Sequence, residues 1–455
     1  MGLKVAFRTL GCKVNQYDTE AVAGLFRRAG YEVVDFAEAA DVYVVNTCTV
    51  TSLGDKKSRQ ALRRAARLNP AAVIVAMGCY AQSAPDELAQ VEGVDVVLGT
   101  TDRARLLPLV EEARRRKAGE AAAAAAVPER VAIAVRPLAE ARIFEELGVG
   151  GLAEHTRATI KVQEGCRQFC SYCRVPHVRG PERSRGPEQV LAEVRRLVAE
   201  GFPEIVLTGI HLGSYGRDLA PAGPGAPAWN LARLASEVSK VPGLRRLRLS
   251  SIEPTDVTEE LIGLVAESPV LCRHFHLPLQ SGTDRTLQRM NRHYTTAAYA
   301  AVVERIRAAV PEAALTTDVI VGFPGESEAD FAQTLAFVRQ QAFSRLHVFP
   351  YSRRRGTPAA AFPDQVPEEV KRERASRLIA LGQDLALAYH RRMVGTTVDV
   401  LFEEKQGSGG RERWRGLTDT YVRATVPSQE PLAAQIRRVL VSDATAEEVR
   451  GRLSP

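Results

Sequence analysis

Gly165-Cys-Arg-Gln-Phe-Cys-Ser-Tyr-Cys-Arg174 sets three cysteines, Cys166, Cys170 and Cys173, within eight residues, just after the apolar, strand-like stretch Ala158 to Val162. A C-x3-C-x2-C loop at the end of a strand can fold three thiolates around one face of an iron–sulfur cube, and thiolates are the usual ligands of such clusters. A fourth cysteine in the run would close the cube. Without it, one iron stays open to a substrate or cofactor. A structural zinc site is the competing reading: it needs a fourth ligand, which His177 could supply, but it favours C-x2-C pairs. The chain has seven cysteines, an odd number in a long and otherwise ordinary globular sequence, which argues against a disulfide framework.

Downstream of the loop, strand-like and helical segments alternate. Strand candidates lie at 159–163, 204–208, 244–250, 274–279, 316–321 and 346–350, with helical segments such as Pro187 to Glu200 and Glu326 to Gln341 between most of them. Six β/α units predict a partial barrel related to the eight-fold version, with its working groups at the C-terminal ends of the strands. Polar clusters fall at those ends: Thr208-Gly209, Ser250 to Pro254, Gln280 to Gly282 and Gly322 to Gly325. Glycine there lets the backbone approach a ligand, although Gly and Pro also simply make turns.

Upstream, valine-rich runs at 4–10, 42–46, 73–77 and 94–98 read as buried parallel strands, with helical stretches at 18–29 and 55–68 between them. This predicts a doubly wound α/β domain. The first three strands each end in a cysteine: Leu10-Gly-Cys12, Asn46-Thr-Cys48 and Met77-Gly-Cys79. Ligands of open parallel sheets sit outside the carboxyl ends of the strands. Three cysteines at one structural phase therefore point to a second three-thiolate cluster with an open iron, against the plainer reading of buried cysteines acting as small hydrophobes.

Residues near Leu107 to Pro137, including the run Ala121 to Ala126, are of low complexity and read as a helical tail and linker. Residues 366–392 read as a connecting helix. Beyond Gly395, short alternating strands at 397–402, 414–417, 421–424 and 435–441 predict a small β-barrel of the kind that binds nucleic acid on one face. Trp414 and Tyr421 either stack on bases or fill that barrel's core. The fold class expected overall is α/β: an N-terminal doubly wound parallel sheet over residues 1–115, a linker over 116–150, a central partial (β/α)6 barrel over 151–385 and a C-terminal β-barrel over 386–455.

At 455 residues the chain is too long for one hydrophobic core. Its net charge of +7 permits an acidic partner without requiring one. The distribution is more telling. Arg167, Arg174, Arg179, Arg183 and Arg185 crowd the cysteine loop, Lys56, Lys57, Arg59, Arg63, Arg64 and Arg67 share one predicted helix, and Arg353 to Arg355 form a run. Such clusters usually make a solvated face, but beside an open-iron loop they suit a polyanion. No apolar run is long enough for a membrane span, and Met1 to Arg8 enters a strand without a signal-peptide layout, so the reducing cytoplasm is expected.

These motifs together closely resemble the radical S-adenosylmethionine methylthiotransferases over nearly the whole chain, the C-terminal barrel being similar to that family's RNA-binding TRAM domain. The stretches 9–17, 46–50, 165–173, 249–254 and 277–282 look like the branch that modifies threonylcarbamoyladenosine in tRNA. The resemblance implies that Cys166, Cys170 and Cys173 hold a [4Fe–4S] cluster whose open iron binds S-adenosylmethionine for reductive cleavage to a 5′-deoxyadenosyl radical. It implies that Cys12, Cys48 and Cys79 hold a second [4Fe–4S] cluster that carries the sulfur. The expected product is a methylthio group at carbon 2 of the adenine at position 37, in the tRNA anticodon loop. An electron donor such as flavodoxin or ferredoxin is implied, and the sulfur donor is left open. Expected cofactor contacts are Thr208 and Gly209, Ser251 and Glu253, and Gly322, with Arg183 and Arg185 as candidate carboxylate or phosphate contacts. Cys272 matches neither trio and reads as structural. The alternatives are a relative acting on isopentenyladenosine or on a ribosomal-protein aspartate, and a non-catalytic iron–sulfur or zinc RNA-binding protein.

Overall fold

Two valine-rich hexapeptides, Val42–Thr47 and Val73–Gly78, are buried at every position, as strands covered on both faces must be. They are central to a sheet in the first of two compact units of this computed structural model, which describes residues 2–119, 131–148, 156–221, 223, 227–407 and 412–454. The alanine run at 121–126 lies outside the described residues. The first unit comprises Met1–Ala153, Gln163–Arg185 and Ser352–Ala360. The second comprises Glu154–Val162, Gly186–Tyr351 and Ala361–Pro455.

In the first unit, β1 (Lys4–Thr9), α1 (Lys13–Arg28), β2 (Glu32–Val34), β3 (Val42–Thr47), α2 (Ser52–Leu68), β4 (Val73–Gly78), α3 (Cys79–Ser83), α4 (Pro85–Ala89), β5 (Val94–Leu98), α5 (Leu106–Lys117) and β6 (Ala132–Ala134) follow in order. The sheet is parallel throughout, in the order β2-β1-β3-β4-β5-β6. Its two-residue period divides side chains between two cores. Val42, Val44, Val73 and Val75 pack with Val22 and Phe26 of α1 and Val110 of α5. Tyr43, Val45, Ile74 and Ala76 pack with Leu62 and Ala65 of α2. The sheet order reverses between β1 and β3, the topological switch point beside which doubly wound sheets bind ligands. Strands β2 and β6 have only three residues each, too few to show a period in sequence.

The second unit is built on β7 (Arg157–Glu164), whose last two residues belong to the first unit, where they pair with β8 (Arg183–Ser184) beyond α6 (Val175–Arg179). It continues through α7 (Pro187–Ala199), β9 (Glu204–Gly209), α8 (Leu231–Ser239), β10 (Arg246–Leu249), α9 (Glu259–Glu267), β11 (His274–His276), α10 (Asp284–Arg289), α11 (Thr296–Ala309), β12 (Ala314–Val321), α12 (Glu328–Gln341), β13 (Arg345–Pro350) and α13 (Glu368–Arg391). The strands form sheets β10-β9-β7 and β11-β12-β13, joined by a parallel bridge between Leu247 and Leu271. This is the expected six-strand partial barrel. β11 stops at His276, short of the expected Leu279, because Pro278 has no N–H to continue a ladder.

Five strands then close a barrel: β14 (Thr397–Gln406), β15 (Arg413–Thr418), β16 (Arg423–Pro427), β17 (Ile436–Ala444) and β18 (Val449–Leu453). The fifth, Val-Arg-Gly-Arg-Leu, hides in the sequence because its apolar positions are so few. Trp414 lies in this barrel's own core. Tyr421 does not: at a positive φ of 66° in the β15–β16 turn, it lies 5.0 Å from the His274 ring and under the guanidinium of Arg248 at 4.6 Å. Arg246 and Arg248 of β10 donate to the carbonyls of Asp399, Leu417, Thr418 and Asp419, which binds the small barrel to the larger one. Among the described residues no helix is long and apolar enough to cross a membrane.

Candidate metal centre

The register of the first sheet fixes where its cysteines emerge. Asn46 of β3 pairs with Thr9 of β1 and with Met77 of β4, and Thr47 pairs with Gly78. Cys48 and Cys79 therefore leave neighbouring strands one step beyond a matched pair, and Cys12 follows β1 as the N-cap of α1. Gly11, at φ +109°, lets that turn pass close to Cys48: a Cβ there would sit 3.2 Å from its sulfur. Asn15 ties the two turns together, its Nδ2 donating to the carbonyls of Leu10 at 2.7 Å and Thr47 at 3.2 Å. The structure thus brings together the three cysteines that the sequence spaces thirty or more residues apart.

The chemistry of this trio suits a cationic cluster. None of the seven cysteines forms a disulfide. Cys48 and Cys79 are buried, and burial pushes the Cys79 thiol up to about 11 and raises that of Cys48 as well. The neighbouring thiols, Cys12 foremost, push both further in the same direction. Three clustered sulfurs of this kind give up their protons only to a strong positive charge, which is what iron supplies.

The second trio sits on the loop that leaves β7. Gly165 takes φ +78°, where a Cβ would lie 1.9 Å from the carbonyl oxygen of Pro181, and the Cys166 N–H donates to Gly180 O at 3.0 Å. The backbone N–H groups of Gln168 and Val175 point at the sulfurs of Cys166 and Cys173, each at 3.4 Å. Amides aimed at sulfur favour thiolate and tune a cluster's potential. Neither trio is drawn into the tight spacing of a mononuclear ion: among the described residues, only His276, Asp318 and His347 place three ligand atoms within 4.8 Å of one another.

Arg179, at the end of the helix α6 that follows the second trio, reaches the first trio inside the first unit. It is 1% exposed. Its Nε donates to Cys79 Sγ at 3.2 Å, its Nη1 to Asp18 at 2.8 Å and to both oxygens of Glu164 at 3.1 Å, and its Nη2 to Asn15. Arg103 shares Asp18 at 2.9 Å and reaches Glu145 at 2.7 Å. Burial works against the Arg179 charge, but the thiols and carboxylates around it win and hold it firmly protonated.

In the second unit the proposed cofactor contacts lie at strand ends. Thr208 is buried and Gly209 half-buried at the end of β9, Ser251 is exposed, and Glu253 forms an ion pair with Arg292. Gly322 follows β12, but its N–H is already bonded to Glu326 at 2.9 Å, and a Cβ there would strike Lys371 at 2.3 Å. Close packing accounts for that glycine.

Two family models match the chain: uncharacterized protein family UPF0004 at residues 4–99 and the Radical SAM superfamily at residues 160–338. The threonylcarbamoyladenosine tRNA methylthiotransferase MtaB of Bacillus subtilis (strain 168) is 45% identical over 440 residues, 96% of this chain and 93% of that one. The protein of the same name from Aquifex aeolicus (strain VF5) is 40% identical over 92% of this chain and 96% of that one. The chain belongs to the radical S-adenosylmethionine methylthiotransferase family. It is an enzyme of the transferase class, and the family works with S-adenosylmethionine and [4Fe–4S] clusters. A tRNA-2-methylthio-N(6)-dimethylallyladenosine synthase of Frankia casuarinae is 41% identical, but the match covers 89% of this chain and 72% of that one. In fold alone, the chain is similar to the radical S-adenosylmethionine methyltransferase TsrM of Kitasatospora setae, with a TM-score of 0.56 at 16% identity over 90% of this chain and 82% of that one.

The polar residues packed around the Cys12, Cys48 and Cys79 trio were not assigned from the sequence. Arg179, Asn15, Asp18, Arg103 and Glu164 form the polar shell. The available signal was the Asn15–Asp18 spacing, which puts both side chains on one face of α1 beside the Cys12 N-cap. Three of the arginines expected to meet a polyanion are instead turned inward, whereas Arg167, Arg353 and Arg355 are exposed. Arg183 donates to backbone carbonyls including Arg179 O at 3.1 Å, Arg185 pairs with Glu146 at 2.8 Å, and Arg354 pairs with Asp55 at 2.5 Å.

Proposed function

We propose that this methylthiotransferase inserts a methylthio group at carbon 2 of N6-threonylcarbamoyladenosine, at position 37 beside the tRNA anticodon. The observation that carries the reading is the presence of two separate thiol trios in one compact unit, with Arg179, on the helix after the second trio, donating to Cys79 of the first. Its branch assignment is supported by the names and near-complete length matches of the two MtaB relatives.

Cys166, Cys170 and Cys173 would hold one [4Fe–4S] cluster, and Cys12, Cys48 and Cys79 the other. When bound, the first cluster and S-adenosylmethionine supply radical chemistry able to break an aromatic C–H bond. The chain's own residues do the rest. The Gln168 and Val175 amides orient the loop sulfurs, and Arg179 offsets negative charge at Cys79. Thr208, Gly209, Ser251 and Glu253 are proposed cofactor contacts, with Gly322 shaping the same strand ends. A flavodoxin- or ferredoxin-type donor would deliver the electron. An anticodon-loop base leaves its stack at low cost, which suits a reaction on its ring edge.

We assign residues 1–115 to the sulfur-carrying domain, 151–385 to the radical core and 386–455 to a TRAM-like RNA-binding barrel. In the first unit the RNA would meet the basic face of α2, where Lys56, Lys57, Arg63, Arg64 and Arg67 are exposed, and the exposed Arg167, Arg353 and Arg355. The test is anaerobic turnover with reconstituted protein on tRNA carrying either threonylcarbamoyladenosine or dimethylallyladenosine, read by nucleoside mass spectrometry. Methylthiolation of the first substrate alone supports the assignment. Reaction only on the second moves the chain to the sister branch, and failure to form 5′-deoxyadenosine under reducing conditions ends the catalytic reading.

A further inference from the structure

Asp318 of β12 stands between two imidazoles on one face of the second unit's sheet. His276 of β11 is the register partner of Thr316, and His347 of β13 is the register partner of Asp318, so all three side chains share a face. The opposite face is covered by helix: Thr317 Oγ1 donates to Leu277 O and lies 3.5 Å from the hydroxyl of Tyr299 of α11. The three side chains therefore point into the barrel's interior.

We propose that His276, Asp318 and His347 bind a single divalent transition-metal ion, distinct from both cysteine trios. Asp318 Oδ1 lies 3.1 Å from His347 Nδ1 and Oδ2 lies 3.3 Å from His276 Nε2. An ion about 2.1 Å from each ligand, at angles between octahedral and tetrahedral, needs neighbouring ligands about 3.0–3.4 Å apart. The two carboxylate–imidazole separations fall in that range, and the ligand atoms of all three residues lie within 4.8 Å of one another. Two imidazoles and one carboxylate suit zinc, iron(II) and their first-row neighbours. The His276 Nδ1 contact with Thr316 Oγ1, at 2.9 Å, fixes the ring from behind, as the outer partners of metal-bound histidines do.

Charge points the same way. Among the described residues, the partners shown for the Asp318 carboxylate are the two imidazoles, and no arginine or lysine is paired with it. A partly buried carboxylate so placed has room for a cation. The side chains of Asp318 and His347 are 26% and 39% exposed, so the site opens to the interior and keeps positions for water or a substrate oxygen.

The inference is independent of which tRNA base is modified. It is tested on the full-length enzyme carrying both clusters, equilibrated with micromolar zinc and then freed of excess. Zinc and iron per chain are measured by plasma mass spectrometry, and the zinc environment by X-ray absorption at the zinc edge. About one zinc per chain with only nitrogen and oxygen neighbours is expected. His347→Ala and Asp318→Asn should each lower zinc retention at least tenfold with iron per chain unchanged. The proposal is overturned if the wild type retains no zinc, if the zinc has sulfur neighbours, or if both variants retain it at the wild-type level. Iron content and S-adenosylmethionine cleavage report on the cysteine trios separately, so a failure here leaves that reading standing.

Discussion

Arg179 Nε lies 3.2 Å from Cys79 Sγ, joining the helix that follows one cysteine trio to a cysteine of the other. The same guanidinium neutralises Asp18 and Glu164, both buried. Removing it takes a guanidinium from two buried carboxylates and costs about 3–5 kcal/mol. Arg179→Lys keeps the charge but loses the fork that serves sulfur and carboxylate together. It should still fold, and it should release iron from the Cys12, Cys48 and Cys79 site at least tenfold faster under chelator. Absorbance decay against chelator concentration measures this; release at the wild-type rate would make the contact incidental.

The two trios should divide the work. Cys170→Ala should stop 5′-deoxyadenosine formation altogether. Cys48→Ala should leave that reaction detectable, stop methylthio transfer, and lower iron from about eight to about four per chain. Equal loss of cleavage in both folded variants would contradict the division.

Gly165→Ala tests the loop by sterics alone. The residue sits at φ +78°, and its new Cβ would fall 1.9 Å from Pro181 O. The clash is with backbone, which cannot swing aside. The variant should lose the loop's iron while the more distant Cys12, Cys48 and Cys79 site keeps its own, as followed by iron count and electron paramagnetic resonance.

How much of this was legible in the sequence depended on whether a feature is periodic or convergent. β3 and β4 announced themselves by runs of valine, and Cys12, Cys48 and Cys79 by their common place after a strand. Six β/α units could be counted in the same way. The polar shell could not be read, because Asp18, Arg103, Glu164 and Arg179 come from four distant segments and meet only through tertiary folding. Arginine is also ambiguous in a linear reading. Arg183, Arg185 and Arg354 look like a polyanion surface in sequence, yet each has internal partners that offset its burial. The short strands β2, β6 and β8 are fixed by their neighbours and carry no pattern of their own.

Tyr421 separates the two readings of the C-terminal barrel's aromatics. Its ring lies against His274 and beneath Arg248, whose guanidinium is in turn held by the fully buried Glu204 at 2.8 Å. Burial pushes the Glu204 carboxyl up, but Arg248, Arg157 and Arg246 outweigh it and hold it below the usual carboxylate range. Tyr421→Ala should therefore destabilise the second unit by about 3 kcal/mol, while Tyr421→Phe keeps the ring contacts and most of the stability. Denaturant titration distinguishes this from a base-stacking role, which would weaken RNA binding and leave stability intact.

Alkaline pH probes the buried thiols of the metal-free protein. Burial raises Cys272 to about 12 and Cys79 to about 11, both above an ordinary unfolded thiol near 8.5. The folded state then holds protons that the unfolded state gives up. Stability from these groups is complete below about pH 8.5 and falls as pH climbs toward the folded values, by up to about 5 kcal/mol for Cys272. Cys272→Ala leaves a small cavity and lowers stability at every pH, but it should flatten the decline between about pH 9 and 11, since one of the buried thiols that drive it is gone while Cys79 and Cys48 remain. Urea midpoints across that range read the slope directly. An unchanged slope would mean that the Cys272 thiol ionises in the folded protein as readily as in the unfolded chain.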